Sequence, residues 1–161
     1  IGNYFSTMLD QSMNWKDAEK LCSQWGGHFA LKGVMSVEDA KRAVDIGCSG
    51  IMVSNHGGRQ LDGSRSPFDQ LAAIVDAVGD KIDVICEGGI QRGTHVLKAL
   101  SIGAKACSGG RLYLYALAGA GQAGVERALN QYRAEIERDM KLMGCNKISD
   151  LNRNNLRFRR K

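Results

Sequence analysis

Short apolar runs alternate with helical patterns along the chain. Four of these runs have the length and unbroken hydrophobicity of buried parallel strands, and they lie at 29–31, 50–53, 82–86 and 104–107. Apolar residues at helical spacing predict helices at 15–25, 37–46, 67–78, 94–101 and 124–143. The resulting order is one helix followed by four strand–helix pairs, which is typical of consecutive βα units.

Residues typical of helix ends support these boundaries. Ser36 stands where an N-cap is needed, and Pro67 opens the next predicted helix. Gly47, Gly79 and Gly144 follow the last apolar residue of three helices, where a left-handed residue commonly ends a helix. The pattern therefore predicts an α/β fold.

The spacing of the strands favours a parallel sheet. Successive predicted strands begin 21, 32 and 22 residues apart, which is enough for right-handed crossover helices. Four βα units are half of a (β/α)8 barrel, which takes about 250 residues in full. Since a half barrel leaves two sheet edges and one sheet face open, we expect either that something else closes it or that the chain is a piece of a larger barrel.

Composition limits the range of functions. The 161 residues are 43% hydrophobic and 24% charged, with 20 glycines and one proline, which indicates one globular domain and excludes collagen-like or disordered chains. The net charge of +5 comes partly from the C-terminal tail, where Arg153, Arg157, Arg159, Arg160 and Lys161 lie. No basic stripe is interleaved with aromatic residues, so we predict no nucleic-acid partner.

The cysteines favour a reducing compartment. The chain has five cysteines, and none forms a C-x-x-C pair. We therefore predict reduced thiols, no metal site and a cytoplasmic location. No apolar run approaches the roughly 20 residues of a membrane span.

The chemistry is expected at the carboxyl ends of the strands, since ligands bind there in parallel α/β folds. Lys32 follows the first strand, and His56 and Arg59 follow the second. Glycine pairs follow the third and fourth strands, and Arg111 comes directly after Gly110. Each residue alone has a structural alternative: a capped core histidine, a surface salt bridge or a solvated lysine. Their convergence on one rim favours a site.

The motif at the second strand carries a family resemblance. The segment Ser54-Asn55-His56-Gly57-Gly58-Arg59-Gln60-Leu61-Asp62 resembles the signature of the FMN-dependent α-hydroxy acid oxidoreductases. The similarity covers essentially the whole chain and includes 31–33, 87–93, 110–111, 114–118 and 121–124. The amino-acid sequences of the last two segments resemble those typical of bacterial L-lactate dehydrogenases.

The resemblance implies a TIM (β/α)8 barrel, of which this chain is the C-terminal half with strands five to eight. Residues 1–28 would hold the helix before strand five, 29–120 the four βα units, and 121–161 the C-terminal helix and basic tail. The N-terminal half of the same barrel would be its partner. The upstream loop would make any peripheral contact with the inner face of a bacterial membrane, and the complete enzyme would be a homo-oligomer, commonly a tetramer.

The resemblance also assigns roles at the rim. His56 would be the base that removes a proton from a small 2-hydroxy acid while a hydride equivalent passes to the flavin. Arg59 would bind the substrate carboxylate through two hydrogen bonds. Lys32 would stabilise the negative charge of the reduced flavin, and Ser54 would add a hydrogen bond to the cofactor.

The remaining cofactor contacts would come from the two glycine-rich turns. The turns at Gly88-Gly89 and Gly109-Gly110 would form a phosphate cradle together with Arg92 and Arg111. Family members usually carry Asp at the position of Glu87 and Arg at the position of Gln91, so both contacts would be altered here. We interpret Arg92 as a replacement for the missing arginine, and we expect His28 and His95 to be structural.

The predicted function is FMN-dependent oxidation of an L-2-hydroxy acid, with L-lactate favoured over mandelate or glycolate. Two alternatives stay open. One is a half barrel that binds FMN or phosphate without turnover, because incomplete contacts cost catalysis more than binding. The other is a phosphate-binding aldolase or isomerase in which His56 acts without flavin.

Overall fold

The structure, a computed structural model, describes residues 7–8 and 10–158. The end of the predicted basic tail, Arg159 to Lys161, lies outside the described residues, as do residues 1–6 and 9.

Five helices and four strands alternate along most of the described chain. They are α1 (Trp15–Trp25), β1 (Ala30–Lys32), α2 (Val37–Asp45), β2 (Gly50–Val53), α3 (Pro67–Val78), β3 (Asp83–Glu87), α4 (Gly93–Ile102), β4 (Ala106–Ser108) and α5 (Arg111–Met143). Short 3-10 turns lie at His56–Gly58, Ile148–Asp150 and Arg153–Asn155. The predicted order of βα units is confirmed.

The four strands form one sheet in the order β1-β2-β3-β4, and every pairing is parallel. Sequential order in a parallel sheet is the arrangement of strands in a barrel wall. The carboxyl ends of all four strands therefore lie on the same edge of the sheet.

The two faces of the sheet differ in burial. Ile51, Val53 and Cys86 are fully buried on the face that packs against the helices. The alternate residues point to the other face, where Ala30 and Asp83 are exposed. This inner face is the one that further strands would enclose in a closed barrel.

Strand ends differ slightly from the predicted ones. Three strands extend one residue further than their apolar runs and end at Lys32, Glu87 and Ser108. Each of these polar residues still pairs with a neighbouring strand: Lys32 pairs with Met52, and Glu87 pairs with Ser108. The apolar run marks only the helix-facing residues at the strand end, because side chains alternate between faces.

The last helix begins earlier than predicted. Apolar spacing places its start at Gly124, whereas α5 begins at Arg111. The helical geometry is broken at Ala120 and Gly121, where Gly121 has φ of +57°. Tyr115 and neighbouring apolar residues before this break are exposed, so the first part of α5 lacks the amphipathic pattern that would reveal it.

Two further features concern the described residues only. No helix within 7–8 and 10–158 combines the length and apolarity needed to cross a bilayer. The same residues contain no group of three or more histidine, cysteine or acidic side chains that could hold a metal ion.

Candidate functional site

A cleft of about 220 Å³ opens at the carboxyl ends of the strands. Its lining includes nine of the residues predicted for the site: Lys32, His56, Arg59, Glu87, Gly88, Gly89, Gln91, Gly110 and Arg111. The structure thus brings the predicted base, the predicted carboxylate anchor and most of the predicted cofactor contacts to one place.

A polar cluster joins three strands beneath the cleft. The Lys32 ammonium lies 3.2 Å from Ser54 Oγ and 3.1 Å from Glu87 Oε2. Ser54 Oγ in turn donates a hydrogen bond to Glu87 Oε2. Ser54 is 1% exposed, so it supports the cluster from below rather than lining the cleft.

The cluster keeps Glu87 ionised. Burial favours the protonated carboxyl, but hydrogen bonds from Ser54 and Lys32 and the positive charge of Lys32 outweigh it. The pKa of Glu87 therefore lies below its usual value, and His56 contributes to this shift electrostatically. A carboxylate and an ammonium thus stand side by side at the strand ends, with His56 near the carboxylate.

His56 is held in a constrained turn. Its φ is +56°, and among the non-glycine residues that the structure describes it alone has a positive φ. Such a backbone is strained for a residue with a Cβ, and strain of this kind is concentrated at functional sites. Ser54 Oγ accepts the His56 N–H at 3.1 Å, and Asn55 Oδ1 accepts the Gly58 N–H at 3.2 Å. The strand-to-turn hydrogen bonds thereby fix where the imidazole leaves the backbone.

Two neighbours pack closely around this turn. Arg111 Nη2 donates a 2.6 Å hydrogen bond to the carbonyl of Gly57. A Cβ at Gly33 would lie 3.0 Å from His56 Cε1, so the small residue leaves room for the ring. Arg111 therefore supports the His56 turn as well as lining the cleft.

The fourth strand leads to an open helix N-terminus. Gly110 is the N-cap residue of α5, and no side chain caps this end. A Cβ at Gly110 or at Gly89 would meet nothing within 4 Å, so the space above both backbones is free. The first backbone N–H groups of a helix lack partners within the helix and favour anions. This open end, which shares the cleft with Lys32, Arg59 and Arg111, fits a phosphate group.

The third strand leads to a closed helix N-terminus. Glu135, which is 4% exposed, accepts the Gly93 N–H at 2.7 Å and pairs with Arg92 Nε at 2.8 Å. Arg92 is absent from the cleft lining because its guanidinium is turned to Glu135. A cofactor contact by Arg92 stays a prediction that this arrangement does not support.

Sequence reasoning missed the two α5 residues that hold the turn between β3 and α4. Tyr132 donates its hydroxyl proton to the Ile90 carbonyl at 2.7 Å, and Glu135 caps α4. A charged residue within a long polar helix normally indicates a solvated face. The available signal was Gly93, a glycine at a helix start where another backbone can approach closely.

The fold and the cleft together define the class of this chain. It is a parallel α/β barrel segment with a histidine, three cationic side chains and an open helix N-terminus at the strand ends. Barrel enzymes bind phosphate-bearing ligands at this edge.

Comparison with known proteins gives the family. Residues 1–158 match the FMN-dependent dehydrogenase family, and the chain belongs to that family. FMN is the cofactor by which the family is defined.

Individual relatives agree on the family and differ in name. The chain is 47% identical over 148 residues to the pre-mycofactocin synthase of Mycobacterium tuberculosis, covering 92% of this chain and 37% of that protein. It is 45% identical over 145 residues to an L-lactate dehydrogenase of a Caulobacter species, covering 90% of this chain and 38% of that protein.

A solved structure confirms the fold. A soluble mutant of the membrane-associated (S)-mandelate dehydrogenase from Pseudomonas putida superposes with a TM-score of 0.89 at 39% identity. The match covers 92% of this chain and 42% of that one. The predicted fold class, part of a TIM barrel, is therefore confirmed, and the chain spans about two fifths of the length of the relatives it matches.

Proposed function

We propose that this chain carries the base and the substrate-carboxylate anchor of an FMN-dependent oxidoreductase that converts an L-2-hydroxy acid, with L-lactate first, into the 2-keto acid. The observation that carries the proposal is that His56, Arg59 and the open α5 N-terminus line one cleft. The pre-mycofactocin synthase is slightly more similar to the chain, at 47% identity, than the L-lactate dehydrogenase, at 45%, so L-lactate is a choice to be tested.

The residues present fit FMN. The bare backbones of Gly89 and Gly110 leave open space beside the uncapped α5 N-terminus, which suits the phosphate. Lys32, which lines the same cleft, would provide a positive charge toward the flavin ring system. Gln91 lines the same cleft and would contribute a polar rather than a charged contact.

Arg59 and His56 divide the work on the substrate. The guanidinium of Arg59 would grip the substrate carboxylate through two parallel hydrogen bonds, which fixes the hydroxyl-bearing carbon relative to the base. The imidazole of His56 would accept the hydroxyl proton as the C–O bond becomes a carbonyl. When bound, FMN supplies the two-electron acceptor for the hydride equivalent that leaves this carbon.

Glu87 would favour the positive charge that His56 gains. The carboxylate is held ionised by Ser54 and Lys32, and its pKa responds to His56. A negative charge near the imidazole would stabilise the positive charge that the ring gains as the substrate proton is transferred. Lys32 keeps the net charge of the cluster from becoming strongly negative.

The partner that completes the site is proposed to be the N-terminal half of the same barrel. The exposed inner face of the sheet and the edges at β1 and β4 need further strands to be covered. Peripheral membrane contact through an upstream loop, and assembly into a tetramer, are parts of the same proposal.

The test is anaerobic bleaching of the flavin in the full-length protein. With L-lactate, the absorbance of oxidised FMN should fall in a single turnover. His56→Asn should slow bleaching by about a thousandfold while FMN stays bound, since a general base contributes 10²–10⁴ in rate. Arg59→Lys should mainly raise the lactate concentration that gives half of the maximal bleaching rate, because an ammonium group lacks the paired donors of the guanidinium.

Each other outcome has a definite meaning. Bleaching of His56→Asn at the wild-type rate would contradict the assignment of the base. Bound flavin that no 2-hydroxy acid bleaches would favour the alternative of binding without turnover. Bleaching of the flavin by mandelate or glycolate, and not by lactate, would support the proposed reaction with a different substrate.

A further inference from the structure

His95 lies outside the cleft lining and yet contacts the turn that forms one of its walls. Its Nδ1 is 3.2 Å from the backbone nitrogen of Gln91 and 3.0 Å from the carbonyl oxygen of Gly89. Gly89 and Gln91 both line the cleft. One ring nitrogen is therefore within hydrogen-bond distance of a donor and of an acceptor on the same turn.

The two hydrogen bonds exclude each other. Nδ1 without a proton can accept from the Gln91 N–H, whereas Nδ1 with a proton can only donate to the Gly89 carbonyl. The doubly protonated ring has a proton on both nitrogens, so it must leave the Gln91 N–H without this acceptor. Proton uptake therefore changes which groups of the turn are available to a ligand.

The position of His95 makes this exchange sensitive to an anion. His95 lies in the first turn of α4, whose N-terminus is already capped by the Glu135 carboxylate. A phosphate at the neighbouring turn, residues 88–91, would add a negative charge near the protonated ring and accept the released N–H. The titratable and charged groups on the elements that pack against α4 include Asp69 and Asp76 on α3, Tyr132 and Glu135 on α5, Cys107 on β4 and Arg153 in the last 3-10 turn. Arg92 and Lys98 lie on either side of His95 along the chain, and Lys32, His56, Cys86 and Glu87 lie at or near the strand ends.

We propose that His95 is a positioning residue that couples proton uptake to binding of the FMN phosphate at residues 88–91, by freeing the Gln91 N–H for the anion. This inference rests on the proposed function for its ligand. It predicts that lower pH strengthens the part of FMN affinity that depends on the phosphate.

The test compares FMN and riboflavin, which lacks the phosphate. Dissociation constants are measured by flavin fluorescence in the full-length apoprotein, for wild type and His95→Asn, at about pH 8 and about pH 5.5, which span the usual range of histidine titration. Asparagine offers one acceptor and one donor near the Nδ1 position but does not titrate. His28→Asn is the matched control, because His28 lines a different pocket at the amino ends of the strands.

We expect the ratio of the His95→Asn and wild-type constants for FMN to rise about fivefold from the higher to the lower pH, a typical coupling between two sites. The ratio for riboflavin should stay constant, and His28→Asn should follow wild type with both ligands. A constant ratio for FMN, or an equal change for riboflavin, would overturn the coupling.

The proposed function can fail separately. If wild type binds neither flavin, FMN is not the ligand. The ring signals of His95 in NMR spectra then decide the coupling alone, with inorganic phosphate as the probe. Phosphate should shift these signals toward the protonated form, and unchanged signals would refute the inference.

Discussion

The N-termini of α4 and α5 begin from similar sequence and have opposite environments. Both helices follow a strand and a glycine pair, and each has an arginine next to its start. At α4, the Glu135 carboxylate accepts hydrogen bonds from the first helical N–H group, that of Gly93, and from Arg92 Nε. At α5 no side chain caps the helix, and the end lines the cleft.

The difference teaches that a glycine–arginine turn indicates a phosphate site only where its helix end is free. The carboxylate of Glu135 already provides at α4 what an anionic ligand would provide, so that end contributes stability. No side chain caps the end of α5, and we propose that its donors bind the ligand instead. Within the described residues, the same local motif therefore has a structural role at α4 and a proposed binding role at α5.

The largest expected effect comes from adding one methyl group at the start of α4. A Cβ at position 93 would lie 2.6 Å from Glu135 Cβ and 2.8 Å from the Ile136 nitrogen. Backbone of α5 must move, so Gly93→Ala should lower the free energy of unfolding by about 3 kcal/mol. Denaturant unfolding of the full-length protein measures the change.

Gly110→Ala is the matched variant. Its Cβ would meet nothing within 4 Å, so the free energy of unfolding should change by less than about 0.5 kcal/mol. FMN affinity should fall instead, because the methyl group enters the proposed phosphate seat. Equal destabilisation by both alanines would erase the distinction between the two helix ends.

The next effect concerns the charge of Glu135. The hydrogen bond from the Gly93 N–H, opposed by burial and assisted by Arg92, holds the pKa of Glu135 below its usual 4.5. Glu135→Gln should cost about 1.5 kcal/mol of unfolding free energy at neutral pH. The lowered pKa means that this stabilisation is present above about pH 4.5 and is lost as the pH falls through the folded-state value.

Unfolding curves from pH 7 to pH 3 would therefore converge for wild type and Glu135→Gln. Glu137→Gln, which removes an exposed pair with Arg133, should change stability by less than about 0.5 kcal/mol at any of these pH values. A constant gap between wild type and Glu135→Gln down to pH 3 would contradict the capping role of the carboxylate.

The smallest effect is expected at Arg111. Its 2.6 Å hydrogen bond to the Gly57 carbonyl holds the turn of His56 against the open end of α5. Arg111→Gln should weaken FMN binding about tenfold, the equivalent of one charge-assisted hydrogen bond. Equilibrium titration with FMN measures it, with exposed Arg133→Gln as the control that should bind normally. Unchanged affinity would show that Arg111 does not serve the ligand.

Much of the fold could be predicted because its signals are local. Apolar runs fix the strands, and caps such as Ser36 and Gly144 fix helix ends. The strand ends were missed by one residue, since Lys32 and Glu87 belong to the ladder but face the site. Polarity there reflects the face of the sheet and not the end of the strand.

The parts of the site that escaped prediction depend on distant contacts. The burial of Ser54 beneath Lys32 and Glu87 joins three strands, and the cap on α4 comes from a residue 42 positions away. No pattern within either segment contains this information. The motif around His56 could be recognised because its histidine, its arginine and its glycines are consecutive in sequence.

The most direct measurement is a crystal structure of the full-length protein with FMN. We predict that the phosphate accepts hydrogen bonds from the first N–H groups of α5, between Gly89 and Gly110, while Glu135 remains on the Gly93 N–H. A phosphate bound at the N-terminus of α4, with Glu135 displaced, would contradict the account.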